Sequence, residues 1–68
     1  MNKEYILGTL RDKGVFYSTI TIHDKEEYNL YLTKLLRLKN ELTDYETKIT
    51  EVRHKNIIKS IILEIKEM

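Results

Sequence analysis

The chain has 68 residues, 12 Lys and Arg against 11 Asp and Glu, a net charge of +1, two glycines, and neither cysteine nor proline. A chain this short forms one domain at most, 1–68, and buries only about 60% of the surface its unfolded form exposes, so its own core is marginal. The lack of cysteine excludes disulfides and thiolate metal sites, which leaves oligomerisation as the available reinforcement and fits a reducing, cytoplasmic setting. No apolar run approaches the ~20 residues of a membrane span and no leader pattern is visible, so no membrane partner is expected.

Asn2 is placed to cap a helix over 2–13, in which Tyr5, Ile6 and Leu10 follow a helical interval. Gly14 can close it in the left-handed conformation. The segment 15–23 then changes character: Val15, Phe16, Tyr17, Thr19, Ile20, Thr21 and Ile22 are β-branched or aromatic. This is strand composition, with Phe16, Ser18, Ile20 and Ile22 on one face and Tyr17, Thr19, Thr21 and His23 on the other. One strand cannot satisfy its own backbone, so it is expected to pair, most simply with its symmetry mate.

Asp24 and Glu27 form a capping box, and from there the pattern reads as helical to residue 67. Tyr28, Tyr31, Leu35, Leu38, Leu42, Tyr45, Ile49 and Val52 alternate three- and four-residue steps, the heptad seam of a coiled coil. Thr43 with Glu46, preceded by Asn40, could break the helix near 40–44. A second change lies at 53–56, where the seam loses phase and the apolar residues move to Ile57, Ile58, Ile61, Ile62 and Ile65, a broader stripe suited to a globular core.

The charges flanking the seam choose an orientation. A parallel in-register dimer would oppose Lys34 to Lys39, Glu41 to Glu46 and Lys48 to Arg53, all like pairs. An antiparallel pairing centred between Leu35 and Leu38 instead sets Glu27 near Lys48, Lys34 near Glu41 and Lys25 near Glu46. The fold class expected is thus mainly α: a short helix, one short strand and a long C-terminal helix in a homo-oligomeric, coiled-coil-like assembly, an antiparallel homodimer in its simplest form.

Chemistry finds little footing. Glu51 and His54 have the Glu-x-x-His interval that projects two metal ligands from one helix face, but a carboxylate-bridged site needs further glutamates and a second such motif. His23 beside Asp24, with Ser18 and Thr21 near in sequence, lacks any glycine-rich turn for an oxyanion hole or a phosphate, and Asp24 is occupied as a cap. Tyr28, Tyr31 and Tyr45 could stack single-stranded bases, yet they occupy seam positions with glutamates close by. Neither an enzyme nor a cofactor or metal is expected.

Thr19-Ile20-Thr21-Ile22, the Asp24 cap and helix, then Arg53-His54-Lys55-Asn56-Ile57-Ile58-Lys59-Ser60-Ile61-Ile62 resemble the strand and second helix of the ribbon-helix-helix family of DNA-binding regulators. The resemblance covers about 20 residues in two pieces. The link between them is about a dozen residues longer than the family's and contains no glycine, and the outward strand face lacks a guanine-reading arginine or lysine. It implies a homodimer whose paired strands enter the major groove, with Tyr17, Thr19, Thr21 and His23 toward bases and Arg53, His54 and Lys55 toward phosphate. The competing expectation ranks first: a small non-enzymatic regulator, an inhibitor or adaptor of the phage or mobile-element type, that binds another protein through Tyr5, Ile6, Leu10, Ile58 and Ile62.

Overall fold

In the computed structural model, which describes residues 2–68, the chain opens with α1 (Lys3–Lys13). Asn2 starts it as expected: its side-chain oxygen accepts the N–H of Glu4 at 2.9 Å and of Tyr5 at 3.3 Å. Gly14 ends it at φ 77°, donating its N–H to the Leu10 carbonyl at 2.7 Å. Strand β1 (Val15–Thr21) follows, and Asp24 caps α2 (Lys25–Glu41) by accepting the Glu27 N–H at 2.8 Å.

The expected long helix stops there. Glu41 is its last residue, Leu42 is its C-cap, and the rest of the chain is a hairpin of β2 (Tyr45–His54) and β3 (Ile57–Glu67). Helix and strand each hold 42% of the described residues, so the fold is mixed α and β, not mainly α and not a coiled coil. The reason is compositional. Thr43, Thr47, Ile49, Thr50, Val52, Ile57, Ile58, Ile61, Ile62 and Ile65 lose χ1 freedom in a helix and pack well on a pleated surface.

The break near 40–44 is thus real, and it is followed by a strand rather than a second helix. At 53–56 the chain turns instead of changing helical phase. Lys55 and Asn56 both have positive φ, 52° and 66°, in the two-residue loop that matches the twist of a tight hairpin.

The sheet order is β1-β3-β2, with both neighbours antiparallel to the central strand. Strands β1 and β2 are therefore parallel to each other, with α2 connecting them and β3 slotted between. One face of the sheet is apolar: Phe16 from β1 and Ile61, Leu63 and Ile65 from β3 pack with Ile6 and Leu10 of α1 and Leu35, Leu38 and Leu42 of α2 and its cap. Both helices thus lie on the same face.

The predicted seam is part of this internal core. Leu35, Leu38 and Leu42 are buried, and Tyr28, Tyr31, Tyr45 and Ile49 pack against them. Val52 alone departs, turning to the other face at 40% exposure. The charges read as interhelical partners go elsewhere too, Glu46 standing opposite Lys66 and Lys48 opposite Glu64 in the sheet. Among the described residues, no helix is long and apolar enough to cross a membrane.

Candidate binding surface

Strand alternation decides which side chains the helices leave uncovered. Reading across the three strands, the rows on the uncovered face are Val15–Lys66–Glu46, Tyr17–Glu64–Lys48, Thr19–Ile62–Thr50 and Thr21–Ser60–Val52. The first two rows are charged at their centres. Lys66 Nζ lies 3.7 Å from Glu46 Oε2, both well exposed. The last two rows hold only hydroxyl and β-branched side chains, and Tyr17 borders them at 61% exposure.

Beyond the reach of β1 the hairpin continues to its tip, where an irregularity between Val52 and Arg53 interrupts the alternation between β2 and β3. His54 stands opposite Ile57 on the uncovered side, and Ile57 is 59% exposed. Arg53 turns to the helix side, opposite Ile58. There a cleft of about 410 Å³ opens between the tip and the start of α2, lined by the apolar Ile22, Tyr28 and Ile58 and by the charged or polar His23, Asp24, Lys25, Arg53 and Lys59.

Polar groups bordering this cleft already hold one another. The Tyr28 hydroxyl donates to Glu51 Oε1 at 2.6 Å, and Arg53 donates from Nη2 and Nε to Glu51 Oε2 at 2.7 and 3.2 Å. The Tyr28 bond, and then Arg53, hold the Glu51 carboxyl below its ordinary range. The same bond, with some desolvation, raises the Tyr28 phenol. His23 Nδ1 is 3.1 Å from Glu27 Oε1, while Asp24 is the helix cap.

The residues singled out from the sequence fall into separate places. Ile6 and Leu10 are fully buried and form core, not an outer surface; their neighbour Tyr5 is 66% exposed, with its ring edge-on to Phe16 at 6.2 Å. Ile58 packs on the core beside the cleft, and Ile62 lies at the centre of the uncovered face. Glu51 and His54 point to opposite faces of β2, so they cannot hold one ion. Ser18 and Thr21 likewise face opposite sides of β1 and cannot both serve His23.

Tyr28, Tyr31 and Tyr45 are half-buried against the core rather than displayed as a platform. Tyr17, Thr19, Thr21 and His54 share the uncovered face, while His23 and Arg53 both line the cleft and Lys55 occupies the turn. The segment Arg53–Ile62, expected as a second helix, is the end of β2, the turn and the first half of β3.

Sequence reasoning missed Leu63, which is fully buried at the middle of the central strand. Its signal was present in Ile61-x-Leu63-x-Ile65, a period of two that the neighbouring Ile57, Ile58 and Ile62 overlaid with a helical one. It also missed the face built from Thr50, Val52, Ser60 and Ile62, because assembling those residues requires the β2–β3 pairing. No protein-family model, curated protein or solved structure matches this chain.

Proposed function

We propose that this chain is a small non-enzymatic regulatory protein that binds another protein with the uncovered face of its sheet. The observation that carries this reading is the pair of rows Thr19–Ile62–Thr50 and Thr21–Ser60–Val52, a charge-free patch beside an exposed Tyr17. Hydroxyl and β-branched side chains lose little conformational entropy on contact, and a tyrosine adds a rigid ring with a polar tip. Charged residues rim the patch toward the other end of the sheet, the arrangement of an apolar contact centre with a polar border.

The test begins by capturing host proteins on the immobilised chain and reconstituting the best candidate from purified components. Titration calorimetry then compares wild type with Tyr17→Ala/Val52→Asp, which changes only the uncovered face. Loss of at least tenfold in affinity with an unchanged thermal melt is the expected result. Equal affinity would remove the uncovered face from consideration.

A second reading, DNA binding, is favoured by one feature of the hairpin tip. From Val52 to Ser60 the chain carries Arg53, His54, Lys55 and Lys59 and no acidic residue, and His23 and Lys25 lie across the cleft with Asp24 between them. Such a tip suits phosphate, and Thr19, Thr21 and His54 share the face that would then meet a groove. Affinity for random duplex DNA should fall with salt, with a log–log slope of about −3 for three phosphate contacts. Undetectable binding at low salt excludes this reading and leaves the first intact.

A further inference from the structure

The two outer strands of the sheet are protected to very different degrees. Strand β2 carries Glu46, Lys48, Glu51 and Arg53, charges that discourage another strand from adding to it. Strand β1, Val-Phe-Tyr-Ser-Thr-Ile-Thr, has no charged residue, no proline and no glycine over its seven residues, and its outer edge has no neighbour among the described residues. Ile22 donates its N–H to the Lys59 carbonyl at 2.9 Å, so the alternation of an antiparallel ladder turns the backbone of Phe16, Ser18 and Ile20 toward β3. The N–H and C=O groups of Val15, Tyr17, Thr19 and Thr21 consequently point outward along the free edge.

We infer that a second copy of this chain pairs with β1 through the same strand, antiparallel about a two-fold axis at Ser18, to join two three-stranded sheets into one of six strands. That register sets Tyr17 opposite the partner's Thr19 and Val15 opposite the partner's Thr21. Every residue whose backbone points outward then meets another of the same kind. Side chains agree as well: Phe16 stands beside the partner's Ile20 on the helix-covered side, extending the apolar layer without placing like charges together.

A two-fold pairing of this kind is self-limiting, because it consumes the unprotected edge and leaves the charged β2 edges outermost.

Light scattering on the purified chain should give twice the monomer mass at 100 μM; a monomer at that concentration overturns the inference. Ser18→Cys, the sole thiol in such a chain, should form an interchain disulfide on mild oxidation, because the paired Cα atoms of that register are about 4.5 Å apart. Thr21→Cys should not, its symmetry mates being on the order of 20 Å apart. Crosslinking through Thr21→Cys in place of Ser18→Cys overturns the register. Thr19→Pro removes an outward N–H and no bond to β3, so it should give a monomer with an unchanged circular dichroism spectrum, and a persistent dimer counts against the pairing. Should that variant fail to fold, the cysteine pair still decides. Both readouts use the purified chain alone and are independent of whether the uncovered face has a target.

Discussion

Thr47 is a single residue whose environment contradicts its chemistry. It is 9% exposed on the core side of β2, opposite Ile65, and its Oγ1 has no hydrogen-bond partner among the described residues. A buried hydroxyl without a partner costs about 1–3 kcal/mol, and valine has nearly the same shape without that oxygen. Thr47→Val should therefore raise stability by about 1 kcal/mol in urea unfolding, with an unchanged m-value. The Tyr28–Glu51 bond makes a prediction of a different kind. Glu51 is held below its ordinary range, so its contribution is complete above the usual carboxylate pKa and is lost as pH falls through the lowered folded value. Tyr28 is raised, so its contribution is present below the ordinary phenol pKa and is lost as pH climbs through the raised value. Tyr28→Phe should lower the melting temperature most at neutral pH and flatten its dependence on both the acid and alkaline sides. A melting curve parallel to wild type at all pH values would show that the bond contributes nothing in solution.

At the scale of elements, the hairpin turn is built from residues that suit it unequally. Both loop positions have positive φ, which asparagine tolerates and lysine adopts at a cost of about 1 kcal/mol. Lys55→Asn with Asn56→Gly should stabilise the hairpin by about 1 kcal/mol, seen as a higher urea midpoint and slower unfolding. The same turn explains why half of the fold was illegible in the sequence. Helix α1, strand β1 and the start of α2 each carry a local signal in the capping residues Asn2, Gly14 and Asp24 and in the β-branched run at 15–22, and each formed within two residues of its expected bounds. The Lys55-Asn56 turn carries no glycine or proline to mark it. Tyr45 and Ile49, four apart, share a face in either a strand or a helix, so the heptad passed through β2 until Val52 fell on the wrong side. Of the uncovered face, the β1 residues Tyr17, Thr19 and Thr21 and the isolated His54 and Ile62 could be named in advance as contact residues. Its other members become neighbours only through a pairing that no local signal records.

The whole molecule depends on a central strand that is last in the chain. Strand β3 alone holds the other two: β1 and β2 have no bond to each other, and Val15 pairs with Lys66 across nearly the full length of the sequence. Two consequences follow for how the domain can exist. First, no three-stranded sheet can form until residues 57–67 are available, so unfolding should be a single cooperative event rather than a loss of one strand at a time. Second, the C-terminal residues matter more than their position at a chain end suggests. Removing residues 65–68 deletes Ile65, which is fully buried between Phe16 and Thr47, and with it the pairings of Val15, Phe16, Tyr45, Glu46 and Thr47. Loss of one buried isoleucine side chain alone costs about 2–5 kcal/mol, against a total stability of roughly 3–10 kcal/mol for a chain of this length. A chain ending at Glu64 should therefore show no cooperative melt and a circular dichroism spectrum without native strand content, whereas one lacking only the exposed Met68 should melt like the full chain. If the chain ending at Glu64 kept a cooperative transition, the pairings of residues 57–64 would suffice to hold β1 and β2, and the stability assigned to Ile65 and the end of β3 would be refuted.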